Sequence, residues 1–189
     1  MNDQGSPVLY AIVTGATPAG GVGELVAQAQ FDGWDVCVIA SPNGSRFIDA
    51  TALAAKTGHP VRSQYKEPGA PDALPPADAM IVAPITSNSM AKWAAGISDT
   101  LPLGMLVEAV GQGLPVVAVP FAKQELLRFP AIQEAMRKLS DWGVVLVGDD
   151  GHEQGTEELS PDDVPWLAAW QALIAHPRHR SSGGKSLTS

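Results

Sequence analysis

The 189-residue chain has a single cysteine, Cys37. One cysteine closes no disulfide within a chain and builds no cysteine-based zinc site, so a reduced, cytoplasmic setting is the default expectation. Cys37 falls inside an apolar stretch and reads as a packing residue rather than a nucleophile. Charge is scarce, at 17% of residues, and basic charge most of all: 12 Lys and Arg stand against 20 Asp and Glu, for a formal net charge of −8. A general nucleic-acid binder neutralises phosphates with a clustered basic stripe, and the basic residues here are scattered. No apolar run approaches the roughly 20 residues that cross a bilayer. The segment Met1 to Pro7 lacks the basic start and apolar stretch of a secretory signal, which gives the expectation of a soluble, intracellular protein with no membrane partner. Of the four histidines, His152 beside Glu153 has no partner at metal-ligand spacing, so no metal site is expected.

Apolar residues are plentiful instead, at 45%, and the length suits one domain that buries roughly 70% of its unfolded surface. Val8 to Thr14, Trp34 to Ala40, Ala79 to Ala83, Leu114 to Val119 and Val144 to Val147 are short, β-branched and apolar throughout, the pattern of strands buried on both faces. Helical spacing falls between them. It covers Gly20 to Gly33, with Gly33 at the expected C-cap, then Arg46 to Lys56, Met90 to Gly96, Leu103 to Gly111 and Ala131 to Asp141. A last helix is expected over Pro161 to Ala175, capped by Ser160 with proline at its first position. His59 to Pro76 holds five prolines and reads as an irregular loop with one short strand around Val61. Trp142, Trp166 and Trp170 read as core or helix-packing residues. Strands alternating with helices predict an α/β fold: a Rossmann-like, doubly wound parallel sheet in three α/β/α layers, forming one domain over residues 1–176. The chain from His176 onward is polar and reads as a mobile tail, residues 177–189 forming its body.

Ligands of such folds collect at the carboxyl ends of the strands. Four strand-end segments are rich in small and hydroxyl residues: Thr14 to Thr17, Ser41 to Ser45, Pro84 to Ser89 and Pro120 to Lys123. The first precedes a helix and offers backbone amides to a phosphate, yet its glycines fit neither the dinucleotide fingerprint nor a P-loop. In the third, Asn88 or Ser89 could cap the following helix, but the run from Thr86 to Ser89 exceeds what one cap needs, and a polar ligand would use the surplus.

The run Ala83-Pro-Ile-Thr-Ser-Asn-Ser-Met-Ala-Lys-Trp-Ala-Ala-Gly-Ile-Ser-Asp-Thr-Leu101 resembles the Pro-Ala-Ser-Ala-Asn-Thr motif, and the helix after it, of the homo-oligomeric flavin-containing cysteine decarboxylases. These act on phosphopantothenoylcysteine or on the C-terminal cysteine of lantibiotic-type peptides, and the resemblance extends over about Val8 to Val147. It implies an FMN-binding flavoprotein, a homo-oligomer assembled as a trimer or as a dodecamer built of trimers, acting on a small-molecule or peptide thiol or carboxylate. Carried over by position, it assigns Gly15, Ala16 and Thr17 to the phosphate turn, and Ser41, Pro42 and Asn43, with Ser45 nearby, to the second contact segment. Thr86, Ser87, Asn88 and Ser89 become the polar core of the signature, Asp99 its trailing acid, and Phe121 a residue against the ring.

The pattern departs from the family in two places. The histidine that the family carries before the signature strand is matched here by Ala70, and the family's Pro-Ala-Met-Asn segment by Pro120, Phe121, Ala122 and Lys123. A methyl group moves no proton, and an ammonium does not reproduce an amide's paired donor and acceptor. His59 and Lys123 are the remaining catalytic candidates. The resulting expectation is a flavoprotein with diverged redox chemistry. The alternatives are an oxidative decarboxylase of a cysteine-containing substrate with a non-standard acid/base, a flavin carrier or partner subunit without turnover, and transfer chemistry like that of the flavin prenyltransferases.

Overall fold

The structure is a computed structural model, and it describes residues 5–69, 71, 73–148 and 164–177. In chain order the elements are β1 (Val8–Val13), a 3-10 turn (Thr17–Gly21), α1 (Val22–Phe31), β2 (Asp35–Ala40), a second 3-10 turn (Gly44–Phe47) and α2 (Ala50–Thr57). Then come β3 (Ala79–Ile85), α3 (Ser87–Ala94), α4 (Leu101–Gln112), β4 (Val116–Pro120), α5 (Gln124–Leu127), α6 (Pro130–Asp141), β5 (Val145–Leu146) and α7 (Trp166–Ile174). The five strands form one parallel sheet in the order β2-β1-β3-β4-β5. This is the expected doubly wound α/β/α arrangement.

Each face of the sheet is set by the two-residue period of the strands. Leu9, Ala11 and Val13 of β1 point to the layer that holds α1 and α7, where they meet Leu25, Val26, Ala169 and Leu173. Tyr10 and Ile12 point to the opposite layer of α3, α4 and α6, against Met90, Leu106 and Leu139. Every residue of β1, β3 and β4 is buried, which explains why these strands appear in sequence as unbroken apolar runs. Gly33, at φ +84°, turns the chain from α1 into β2 through a backbone conformation that a side chain would strain. On the α7 side, Trp34 and Trp170 pack edge to face with ring centroids 5.5 Å apart, and the Trp170 indole N–H donates to Asp32 Oδ2 at 2.6 Å. Such a ring pair contributes about 0.5–1.5 kcal/mol beyond its buried area, so α7 is fastened to the end of α1 by both packing and a charged acceptor.

Several expected boundaries move, each for a local reason. The helix expected over Arg46 to Lys56 is broken. Ile48 is extended, at φ −123° and ψ 153°, and the Asp49 carboxylate accepts the Ala52 N–H at 2.9 Å, so capping starts α2 afresh at Ala50. The helix expected from Met90 begins at Ser87, and its cap is Thr86 rather than Asn88 or Ser89. The last helix starts at Trp166 after the non-helical Val164 and Pro165, while Ser160 and Pro161 lie outside the described residues. Trp142, the C-cap of α6, is 39% exposed and so lies outside the core, which leaves the helix-packing half of that expectation, whereas Trp166 and Trp170 are buried. His176 is also buried, with Nε2 3.2 Å from the Gly143 carbonyl oxygen, so the ordered chain extends past α7 and does not release at His176. The short strand expected near Val61 is a single parallel bridge between Arg62 and Ile39. Among the described residues no helix is long and apolar enough to cross a membrane, and no group of three or more His, Cys, Asp or Glu is placed to hold a metal.

Candidate functional site

Strand order reverses direction between β1 and β3, because the chain leaves β1 toward β2 on one side and returns to β3 on the other. The loops at the carboxyl ends diverge there and leave a crevice, the usual ligand position in such sheets. Thr14, 2% exposed, fastens the two loops together. Its backbone N–H and its Oγ1 both donate to the Pro84 carbonyl, at 3.1 and 3.0 Å, and Oγ1 accepts the Thr86 N–H at 2.9 Å. The third loop joins through the Ser41 N–H, which donates to the Val13 carbonyl at 2.9 Å. Ser41 Oγ then accepts the Gly44 N–H at 2.9 Å and shapes the turn.

These contacts surround a cleft of about 320 Å³ lined by Gly15, Ser41, Pro42, Asn43, Thr86, Asn88, Ser89, Lys92, Thr100 and Leu103. That volume lies in the range of small-molecule sites. Two glycines let the turns approach so closely. A Cβ on Gly15 would lie 2.7 Å from Asn43 Cβ, and one on Gly44 would lie 2.7 Å from the Val13 carbonyl oxygen. On the α3 side, Thr86 Oγ1 accepts the Ser89 N–H at 3.3 Å and donates to Ser89 Oγ at 3.0 Å. The N–H groups of Ser87 and Asn88 meet no protein acceptor among the described residues, as is normal for a first helical turn, and they add donor capacity and positive dipole at this end. Among the described lining residues Lys92 alone carries a charge; its Nζ is 2.5 Å from Asp99 Oδ2. Hydroxyls, amides and one ammonium suit a hydroxyl-rich, anionic ligand, and among the described residues the lining contains no imidazole, thiol or carboxylate.

The structure brings together seven of the expected residues: Gly15, Ser41, Pro42, Asn43, Thr86, Asn88 and Ser89. Ala16 and Thr17 continue from Gly15 into the 3-10 turn, where Ala16 is the N-cap, and they do not line the cleft. The Ser45 hydroxyl donates to the Pro42 carbonyl at 2.9 Å and so supports the second loop, while Ser87 is the first residue of α3. Asp99 reaches the site only through Lys92. Phe121 is 4% exposed and belongs to the core on the α1 and α7 side, its backbone N–H donating to the Ile85 carbonyl at 2.9 Å. Lys123 is exposed at the start of α5, away from the lining. His59 Nε2 lies 2.8 and 2.9 Å from the two carboxylate oxygens of Asp35, at the amino end of β2. Strand rise places that pair on the order of 20 Å from the Ser41 loop. Cys37 is fully buried, and burial first, then the Asp35 charge, pushes its thiol up to about 12. Ala70 lies outside the described residues.

Lys92, Thr100 and Leu103 line the cleft without having been singled out. Lys92 follows Ser89 and Asn88 at three- and four-residue helical spacing, a signal that places all three on one face of α3. Thr100 and Leu103 arrive because the start of α4 folds back beside α3, and nothing local to their sequence announces that.

A family model described as Flavoprotein matches residues 2–165, most of the chain. The chain belongs to the Flavoprotein family. Among curated relatives of this flavoprotein chain, the coenzyme A biosynthesis bifunctional protein CoaBC of Escherichia coli K12 is 28% identical over 155 residues, covering 79% of this chain and 37% of the relative. The chain thus spans little more than a third of the length of the curated relatives it matches first. Among solved structures, the cypemycin decarboxylase CypD superposes with a TM-score of 0.70 at 20% identity, over 98% of this chain and 99% of that one. The epidermin biosynthesis protein EpiD from Staphylococcus aureus gives 0.61 at 24% identity, over 75% and 82%. At these identities the superpositions establish a shared fold.

Proposed function

We propose that this chain binds FMN in the cleft between the β1 and β3 loops and carries out redox chemistry there on a thiol- or carboxylate-bearing small molecule or peptide. The observation that carries the reading is the donor set at the strand-order reversal of a Flavoprotein-family chain: Ser41, Asn43, Thr86, Asn88, Ser89 and Lys92 around one cleft. The residues fit the group. Gly15 and Gly44 keep two backbone turns close enough to form a wall, the first turn of α3 and Lys92 favour a phosphate, and the hydroxyls and amides match a ribityl chain. FMN, when bound, supplies a two-electron acceptor. Among solved relatives, CypD is a decarboxylase by name and SpaF is described as an FMN-dependent cysteine decarboxylase, which supports the cofactor and the class of substrate. Assembly with further copies of the chain belongs to the same reading, and light scattering on the purified protein tests it.

Flavin carriage without turnover is a second reading, favoured by one specific observation: the described residues of the cleft lining supply no imidazole or carboxylate to move a substrate proton. An absorption spectrum with mass analysis of the protein as isolated tests the shared part, with FMN at one per chain expected. A colourless protein that takes up no FMN at micromolar concentration refutes it. Anaerobic addition of cysteine-ended peptides then divides the readings, since loss of the flavin band reports thiol oxidation and its persistence supports carriage.

A further inference from the structure

The proline-rich segment after α2 places one side chain where ordinary packing gives no reason for it. Tyr65 is 54% exposed, yet its hydroxyl lies 3.1 Å from both the Ser98 and the Thr100 carbonyl oxygens. Its ring end occupies a notch on α4 that only glycine leaves open: a Cβ on Gly104 would lie 2.2 Å from the Tyr65 hydroxyl oxygen and 3.3 Å from Cζ. The two carbonyls flank Asp99, Asp99 holds Lys92, and both Lys92 and Thr100 line the cleft. Lys92 and Asp99 are 32% and 48% exposed, so the pair has freedom to swing toward solvent unless its backbone is held.

We infer that Tyr65 is a positioning residue for anion recognition. By tying down the backbone on either side of Asp99, it keeps Asp99 in place to hold the Lys92 ammonium over the cleft, where that ammonium meets the anionic oxygens of the ligand. The inference rests on the proposed flavin site and adds a specificity element to it. The anion is either the phosphate of FMN or the carboxylate of a bound substrate, and two pairs of probes tell them apart. Riboflavin is FMN without the phosphate, and N-acetylcysteamine is N-acetylcysteine without the carboxylate.

The experiment measures binding of FMN and riboflavin to flavin-free protein by fluorescence quenching, then perturbation of the FMN absorption band by the two thiols under anaerobic conditions. It compares wild type with Tyr65→Phe, Gly104→Ala, Asp99→Asn and Lys92→Met. Loss of a hydrogen-bonded tether lowers the preference by about three- to tenfold. Lys92→Met sets the floor, and the other three variants are expected to fall toward it. A reduced FMN-to-riboflavin ratio assigns the phosphate; an unchanged ratio with a reduced N-acetylcysteine-to-N-acetylcysteamine ratio assigns the carboxylate. Either result supports the inference. If Tyr65→Phe weakens all four probes equally, the tyrosine is only structural and the inference falls. It falls equally if Lys92→Met shifts a ratio and Tyr65→Phe does not, or if no variant shifts either ratio. Failure of wild type to bind either flavin is a different result, because it removes the flavin reading itself.

Discussion

Replacing Thr14 with valine tests whether one buried hydroxyl joins the sheet to the cleft. The substitution removes the Oγ1 bond to the Pro84 carbonyl, which keeps its second donor in the Thr14 N–H. It also leaves the Thr86 N–H without its acceptor. The lost hydrogen bond costs about 0.5–1.5 kcal/mol and the stranded donor about 1–3 kcal/mol, the lower half applying because Thr86 is half-buried. The added methyl returns up to about 0.8 kcal/mol if it packs. The net expectation is a loss of about 2 kcal/mol, or a Tm lower by about 4–8 °C for a chain of this size. Because Thr86 starts α3, FMN affinity should fall about tenfold as well. Thr14→Ser keeps the hydroxyl and should lose only the methyl's share of stability, with FMN affinity retained. Urea denaturation and flavin titration of the three proteins read both quantities. A Thr14→Val protein as stable as wild type, or one destabilised with unchanged FMN affinity, refutes the argument that this hydroxyl shapes the site.

Gly15→Ala should reduce FMN affinity at least tenfold in the same titration, since its Cβ would meet backbone-anchored Asn43 Cβ at 2.7 Å and force the two loops apart. Cys37 should resist Ellman's reagent in the native protein at pH 8 and react at once after unfolding. Its pKa is raised by burial from 9.0 to about 12, so the folded state keeps a proton that the unfolded chain loses. That contribution to stability is complete below about pH 9 and is lost as the pH rises toward about 12, which denaturation of wild type and Cys37→Ala across that window would reveal as a difference in slope. Asp49→Ala should cost about 1 kcal/mol in urea denaturation by removing the cap that separates α2 from the preceding 3-10 turn.

The strands were legible because each is buried on both faces and so carries an apolar run that few other structures tolerate. What sequence misplaced depends on competition among neighbouring caps or on distance along the chain. Asp49 interrupts a helix whose composition alone would have continued it, and Thr86 takes a cap for which Asn88 and Ser89 were equally qualified by type. The polar loops after β1, β2 and β3 announced the cleft through their surplus of hydroxyls. Its α4 side stayed hidden because Thr100 and Leu103 enter only through helix packing. His59 attracted notice as a titratable residue in a flexible-looking segment, but a carboxylate at the far end of β2 holds it there. Lys123 and Phe121 sit in a strand-end segment of the right kind that the crevice does not reach.

The sheet margins carry a consequence for self-association. Along β2 the outer backbone is partly occupied already: Arg62 accepts from the Ala40 N–H at 2.8 Å and donates to Val38 at 3.2 Å, two residues after Pro60, which has no amide proton to extend the pairing. At the other margin, among the described residues, β5 offers only Val145 and Leu146. Neither border is a long bare template, so identical chains have little to gain by continuing the sheet from one molecule into the next. For the proposed assembly of copies, substitutions on outward-facing helix positions, rather than on strand residues, are then the first levers to test.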